Sequence, residues 1–164
     1  MAYCVLCSKA HAFDREDAFE VLRNTPGVLR EVIHGVAPET LSKKVSGKWS
    51  PRELLIHLVH TDYIYGYRIR QIITEKNPVL APIDGDAWVN SFSYGQLDGM
   101  RLVDAFDAIR KMNLDLLQSI DPKLFEKPAW HPQYGPVTIA TIIPEHLAEH
   151  DLNHLQQIRD RIRA

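Results

Sequence analysis

The sequence predicts an all-α protein, a four-helix bundle, from three observations. Long segments with apolar residues at helical spacing alternate with proline-marked loops, no convincing alternating strand occurs, and the connections allow antiparallel neighbours. The 164 residues suffice for one domain with one core. We therefore expect a single domain over residues 1–164, with residues 1–13 as an N-terminal extension and long loops between helices 2 and 3 and between helices 3 and 4.

The first helical region is predicted from about residue 14 to residue 36. We expect a break at Thr25-Pro26-Gly27, where Thr25 can cap a second piece and Pro26 suits the first helical position. Pro38 then ends the region, because proline cannot continue a helix.

The second helix has the clearest start signal in the chain. Ser50 caps, Pro51 takes the first position and Glu53 can reach back to the cap, which predicts a capping box. The helix should run to about residue 75, and Pro78 follows soon after. Residues 77–99 then predict a long loop, and loops of that length are often lids or walls of functional sites.

The third helix is predicted over about residues 100–120, followed by a proline-rich loop over residues 128–136. Thr138 opens the last helix, which should continue to the C-terminus. Pro144 lies inside this helix and should kink it or loosen one turn.

The composition excludes several classes of protein. With 45% hydrophobic residues, 24% charged residues and a formal net charge of -2, the chain lacks the basic surface expected for nucleic acid or anionic lipid. Its longest apolar run, residues 54–59, is far shorter than the ~20 residues that span a bilayer. The N-terminus has no basic region followed by an apolar stretch, so we expect no signal peptide and a cytoplasmic location.

Cys4 and Cys7 form a C-x-x-C pair in the N-terminal extension. A redox motif would lie between a strand and a helix, and a zinc site would need a second ligand pair. Neither context is evident, so the favoured interpretation is a pair of unremarkable thiols, with redox and metal roles as alternatives.

The last helix contains His146, His150 and His154 at intervals of four residues. Imidazoles four apart lie above one another on a helix and can bind one ion. At about 100° per residue and with His150 as the reference, His154 falls at about 40°, inside the apolar stripe, whereas His146 falls at about -40°, on its edge, and is the weaker candidate. The same projection directs Glu145 and Glu149 elsewhere.

His57, on the second helix, is the third candidate ligand. Bundles build metal sites from inward side chains on facing helices, whereas His60 lies about 60° away and should be exposed or peripheral. Three neutral imidazoles leave a position for water or substrate, which is typical of a reactive site. Zinc or nickel is favoured as the metal, with iron, manganese or copper as alternatives.

The arrangement of these residues resembles the DinB/YfiT-like superfamily, over about residue 16 to the C-terminus. The similar segments are Trp49-Ser50-x-x-Glu53-x-x-x-His57-Leu58, His150-Asp151-x-x-His154-x-x-Gln157-Ile158, Thr25-Pro26-x-x-Leu29, Asp86-Ala87-Trp88 and His131-Pro132-x-x-Gly135-Pro136-x-Thr138. The resemblance implies a four-helix bundle, commonly a homodimer, with a metal bound by His57, His150 and His154. The Cys4/Cys7 pair and His146 are not part of the pattern.

Further residues are candidates for supporting the metal ligands or binding a small-molecule substrate. Asp62, Asp151 and His146 could support the ligand imidazoles from outside the first coordination sphere. Candidates for an aromatic and polar pocket wall are Trp49, Tyr65, Arg68, Trp88, Trp130, His131 and Tyr134. For each aromatic residue, ordinary packing of a loop on the bundle is the favoured interpretation. For Arg68 a solvated or salt-bridged side chain is favoured, and its position on the same face as His57 keeps it a candidate.

Three functional hypotheses follow. Relatives implied by the resemblance include enzymes that use a low-molecular-weight thiol in transferase or isomerase reactions, and a metal held by neutral ligands can generate a thiolate at neutral pH. A metal-dependent hydrolase is the second hypothesis, since the same ion can activate water. A non-catalytic metal-binding stress protein or ligand-binding module is the third. No residue is identified as the general base.

Overall fold

The computed structural model describes residues 14–91 and 97–164, together with the backbone of residues 2–4 and 9–11. In the N-terminal extension, strand β1 (Ala2–Cys4) pairs antiparallel with strand β2 (Lys9–His11). Cys7 and the side chain of Cys4 lie outside the described residues, so the interpretation of the cysteine pair stays a prediction.

The predicted all-α four-helix bundle is confirmed. The helices are α1 (Arg15–Ile33), α2 (Pro38–Ser42), α3 (Pro51–Thr74), α4 (Gly85–Ser91), α5 (Gly99–Ser119), α6 (Ile139–Thr141) and α7 (Glu149–Arg163). Helices α1 and α3 each pack against both α5 and α7. The first two long helices of the chain, α1 and α3, therefore lie diagonally opposite each other in the bundle. None of the described helices combines the length and the apolar character needed to cross a membrane.

Helix α1 is continuous, and the predicted break at Thr25-Pro26-Gly27 is wrong. The hydroxyl of Thr25 does not cap a new helix but donates to the carbonyl of Val21 at 2.8 Å. Pro26 is tolerated in the helix interior because the carbonyl of Leu22, which its missing N–H would have bonded, accepts another donor, Nη1 of Arg110.

The capping box of α3 is present as predicted. The backbone N–H of Ser50 donates to Oε2 of Glu53 at 2.8 Å, and the N–H of Glu53 donates to Oγ of Ser50 at 3.3 Å. The loop predicted over residues 77–99 is interrupted by α4, which sequence analysis missed because seven residues are too few to show helical periodicity.

The connection between α5 and the last helix is also more ordered than predicted. A 3₁₀ turn (Pro122–Glu126) is followed by strands β3 (Ala129–His131) and β4 (Gly135–Val137), which pair as a hairpin in the region predicted to be a loop. Its Trp130 exchanges backbone hydrogen bonds with the loop after α3, donating to the carbonyl of Pro78 and accepting from Leu80. The hairpin therefore ties the two long connections together.

Pro144 loosens the last helix, as the sequence predicted. The segment Ile142–Ala148, between α6 and α7, is π-helical, and the N–H of Glu149 donates to the carbonyl of Pro144, five residues earlier. Such π-helical turns are frequent at functional sites. Here the turn immediately precedes His150.

The apolar core has two halves with a polar layer between them. Leu22, Tyr65 and Leu114 belong to one half, and Leu29 and Phe106 to the other. Between these positions along the helices lie the buried polar residues Thr25, Asp62, Arg110, Asn113 and Asp151.

Candidate metal centre

Three imidazoles from two helices converge at one point. Nε2 of His57, on α3, lies 2.9 Å from Nε2 of His150, on α7, and Nε2 of His154 lies 3.1 Å from the same atom. All three ligand atoms lie within 4.8 Å of one another. Zn–N bonds of about 2.0–2.1 Å in tetrahedral geometry would separate ligand nitrogens by about 3.3 Å, so the spacing is close to that of a metal site.

The three ring nitrogens are better placed to bind a shared cation than to hydrogen bond with one another. Nδ1 of His154 lies 3.2 Å from Oε1 of Gln157, which accepts its proton and leaves Nε2 of His154 with a lone pair. His150 Nε2 faces two neighbouring ring nitrogens, and a single proton can bridge only one of those contacts well. One cation would satisfy all three nitrogens at once.

The environment keeps the three imidazoles neutral. Burial, with a smaller effect of the neighbouring imidazoles, lowers the pKa of His57 to about 3 and holds the pKa of His150 well below its ordinary value. Burial also lowers the pKa of His154 to about 4. The lone pairs needed for metal binding are therefore available at neutral pH.

Two neighbouring residues hold the ring of His57 in place. The Trp49 ring lies 4.8 Å from it, centroid to centroid, and the backbone carbonyl of Trp49 accepts a hydrogen bond from Arg161 on α7. A Cβ added to Gly85 at the start of α4 would lie 3.3 Å from Cε1 of His57. Helix α4 thus forms a close wall of the site, in agreement with the wall predicted for residues 77–99.

Asp62 and Asp151, predicted to support the ligand imidazoles, instead bind Arg110. Nη2 of Arg110 lies 2.5 Å from Oδ2 of Asp62, and Nη1 lies 2.7 Å from Oδ2 of Asp151. Burial disfavours the guanidinium charge, but Asp151 and Asp62 overcome this effect and raise the pKa of Arg110. A hydrogen bond to a candidate ligand ring comes instead from Gln157, whose Oε1 lies 3.2 Å from Nδ1 of His154.

The three imidazoles open into a cavity of about 560 Å³. Small-molecule sites commonly enclose about 300–1,000 Å³, so the volume suits a small substrate. Of the residues predicted to form its wall, the structure brings six to the cavity: Trp49, Tyr65, Arg68, Trp88, His131 and Tyr134. Trp130 does not line it, because it points outward from β3 with 54% of its surface exposed.

Several polar residues of the cavity were not predicted from the sequence, among them Glu145, Glu149 and His60. Glu145 and Glu149 line it, although the helical projection directed them elsewhere, and Glu149 is buried. The projection took the apolar stripe as the direction of the site, whereas the cavity lies on the face of α7 that also carries Asn153 and Gln157. Glu145 lies in the π-helical turn, to which a projection with α-helical geometry does not apply. His60, predicted to be exposed or peripheral, is buried against Trp88, with ring centroids 5.3 Å apart.

His146 lies apart from the three converging rings. Its ring lies 5.3 Å from that of Tyr134 and 6.1 Å from that of Tyr65, centroid to centroid. Its Nδ1 has no hydrogen-bond partner within the described part of the chain. Burial, followed by the charge of Arg68, lowers the pKa of His146 to about 4, so the ring is a neutral part of the cavity wall.

The chain is similar to known proteins over most of its length. Residues 22–158 match the sequence model of the DinB superfamily. A protein of Oceanobacillus iheyensis named "Putative metal-dependent hydrolase" is 28% identical over 138 residues, which cover 84% of this chain and 79% of the relative. A protein of the same description from Bacillus mycoides is 27% identical over 118 residues, covering 71% and 68% of the two chains.

The fold matches a solved structure. YfiT from Bacillus subtilis, described as a probable metal-dependent hydrolase with an unusual four-helix bundle topology, superposes with a TM-score of 0.78. The match covers 94% of this chain and 92% of that one, at 18% sequence identity. At this identity the comparison establishes the fold.

Proposed function

Since the chain belongs to the DinB superfamily, we propose that it is a metal-dependent hydrolase of a small-molecule substrate, with a divalent metal bound by His57, His150 and His154. The observation that carries the proposal is the convergence of the three Nε2 atoms of histidines that line the cavity. The names of the related proteins from Oceanobacillus and Bacillus support hydrolysis as the reaction.

The three ligands are neutral, so a bound divalent cation would keep its full charge and supply Lewis-acid activation of water at neutral pH. Imidazole ligands suit copper and iron as well as zinc and nickel, and zinc or nickel remains the identity proposed here. The residues of the chain hold the ligand rings in place. Gln157 accepts the Nδ1 proton of His154, and Trp49 and Gly85 confine the ring of His57.

Glu145 and Glu149 supply the base that sequence analysis could not identify. Both carboxyl groups line the cavity with the imidazoles. Burial, together with the charge of Glu149, raises the pKa of Glu145, which brings this carboxyl closer to the range in which a general base is effective. In the proposed reaction this pair accepts the proton of the attacking water.

Thiol transfer, the first of the three hypotheses from the sequence, receives no support from the names of the relatives, and the hydrolytic alternative is therefore preferred. A low-molecular-weight thiol would compete with water for the same open position beside the imidazoles. The homodimer implied by the resemblance stays a prediction.

The reaction is tested by loading the protein separately with zinc and nickel and assaying a panel of esters, lactones and amides. A parallel assay follows the consumption of glutathione, bacillithiol and mycothiol. We expect hydrolysis that is abolished by a chelator and reduced about a hundredfold or more by Glu145→Gln or Glu149→Gln. Glu31→Gln, which alters an exposed residue of α1, is the matched control.

Metal-dependent consumption of a thiol without hydrolysis would overturn the proposal in favour of thiol transfer. Stoichiometric metal binding with neither reaction would favour the non-catalytic role. Full hydrolytic activity in both glutamate variants would leave the metal assignment intact but reject the carboxylate pair as the base.

A further inference from the structure

A buried arginine also lines the cavity. Arg68 is on the same helix as His57, three turns further along, which is about 16 Å along the axis at 1.5 Å per residue. Only 7% of its surface is exposed, and its guanidinium carbon lies 4.9 Å from the centroid of the Tyr65 ring. The cavity is therefore lined both by the imidazoles and by a cationic side chain whose backbone lies three turns away along α3.

Arg68 has no carboxylate partner within residues 14–91 and 97–164. The ion pairs of this part of the chain involve other cations. The hydrogen bonds of Arg68 use one nitrogen, Nη2, which donates to the carbonyl of Ala81 at 2.7 Å and lies 3.3 Å from Nε2 of His131. Burying a charge without a counter-charge costs free energy. A buried arginine that lacks a carboxylate partner therefore indicates that a ligand supplies the negative charge.

The tautomer of His131 strengthens this argument. The backbone N–H of Gln133 donates to Nδ1 of His131 at 3.2 Å, so in the neutral ring the proton is on Nε2. Burial, with the charge of Arg68, lowers the pKa of His131 and keeps the ring neutral. Nε2–H of His131 and an N–H of Arg68 are then two donors facing each other, and they need a common acceptor.

We propose that Arg68 and Nε2–H of His131 bind an anionic oxygen group, a carboxylate or a phosphate, of the molecule that occupies the cavity. An anionic oxygen satisfies both donors and supplies the counter-charge that the guanidinium lacks. Nη1 and Nε of Arg68, which have no acceptor in the described part of the chain, allow a two-point contact with such a group.

The inference rests on the proposed function in one respect, which is that the anion belongs to the substrate to be hydrolysed. The substrate class is then a small molecule with an anionic group at one end and the bond to be cleaved toward the other. The ring of His131 is fixed by stacking on Tyr134, with centroids 4.4 Å apart, so the subsite is preorganised by the hairpin β3–β4.

Binding of three probes tests the subsite: benzoate, phenyl phosphate and the neutral benzamide. Titration calorimetry on the zinc-loaded protein should show at least tenfold tighter binding of one of the anions than of benzamide, because charge-assisted hydrogen bonds are the stronger ones. The preferred anion distinguishes a carboxylate from a phosphate site. The same titrations on chelator-treated protein exclude binding of the anion to the metal.

Arg68→Met should weaken anion binding at least tenfold, whereas Arg101→Met, at an exposed position of α5, should not. Because Arg68 also holds the carbonyl of Ala81, His131→Phe provides a second variant that keeps a ring against Tyr134 and removes the Nε2–H donor. This variant should weaken anion binding several-fold and leave benzamide binding unchanged.

Equal affinity for benzoate, phenyl phosphate and benzamide would overturn the subsite, as would wild-type anion affinity in both variants. Anion binding that disappears on chelation would place the anion on the metal and equally reject the subsite. None of these outcomes bears on hydrolysis, and a failure of the hydrolase assay leaves the binding result intact.

Discussion

Pro26 of α1 and Arg110 of α5 meet at the carbonyl oxygen of Leu22. Pro26 has no N–H to donate to this oxygen, and Nη1 of Arg110 donates to it at 3.0 Å instead. The same guanidinium binds Asp62 of α3 and Asp151 of α7. One side chain thereby connects all four long helices in the polar layer that separates the two halves of the core.

Arg110→Met should destabilise the protein by about 3–5 kcal/mol, because it leaves two carboxylates buried without a partner. Urea unfolding followed by circular dichroism measures this loss. Combining Arg110→Met with Asp62→Asn and Asp151→Asn should restore part of the stability, since no charge then remains buried. If Arg110→Met alone were as stable as the wild type, the role given to Arg110 would be contradicted.

Two helical glycines should respond to alanine in opposite directions. A Cβ at Gly66 would lie 2.4 Å from Oδ1 of Asn113, whose amide is held by the backbone carbonyl of Asp62 at 2.9 Å. Gly66→Ala should therefore cost about 1–3 kcal/mol through overpacking. At Gly27 no atom lies within 4 Å of the added Cβ, so Gly27→Ala should stabilise the helix by about 0.5–1 kcal/mol.

Thermal unfolding of Gly66→Ala, Gly27→Ala and the wild type under the same conditions measures whether each variant is less or more stable than the wild type. A stabilising Gly66→Ala would show that Asn113 can move away without loss. In that case the polar layer would be less constrained than its hydrogen bonds indicate.

His146 should make the metal-free protein sensitive to acid. Its pKa is about 4 in the folded chain and about 6.5 when unfolded, so the unfolded state takes up the proton first as the pH falls. The contribution of the neutral ring to the free energy of unfolding is complete above pH 6.5 and is lost as the pH falls from 6.5 to 4. At about 1.4 kcal/mol per pKa unit, the loss reaches about 3 kcal/mol at pH 4.

The difference in unfolding free energy between wild type and His146→Gln, measured from pH 7 to pH 4 in the presence of a chelator, isolates this contribution. The variant should lose less stability than the wild type over this range. His34→Gln, at an exposed position, is the control. Parallel pH profiles for His146→Gln and the wild type would contradict the depressed pKa of His146.

Local signals in the sequence predicted much of the fold. The Ser50–Glu53 capping box and the loosening at Pro144 depend on residues close together in the chain, and both are present. The break expected at Pro26 is absent because Arg110, 84 positions away, satisfies the carbonyl that proline leaves free. A distant donor of this kind cannot be identified from local sequence.

The same distinction applies to the site. The four-residue spacing of His150 and His154 and the face of α3 bearing His57 follow from regular helical geometry, and the structure brings these three rings together. The position of Glu145 depended on the π-helical turn, that of Glu149 on which face of α7 borders the cavity, and the exposure of Trp130 on the pairing of β3 with β4. Arg110 gave no sequence signal, since a single arginine on an amphipathic helix is usually solvated.

The central claim is tested most directly by elemental analysis of protein purified without an affinity tag, comparing the wild type with His57→Ala, His150→Ala and His34→Ala. We expect one divalent metal ion per chain in the wild type and in the exposed control His34→Ala, and its loss in the other two variants. Stoichiometric metal in His57→Ala and His150→Ala, or a wild type that binds no divalent metal when supplied with zinc or nickel, would contradict the account.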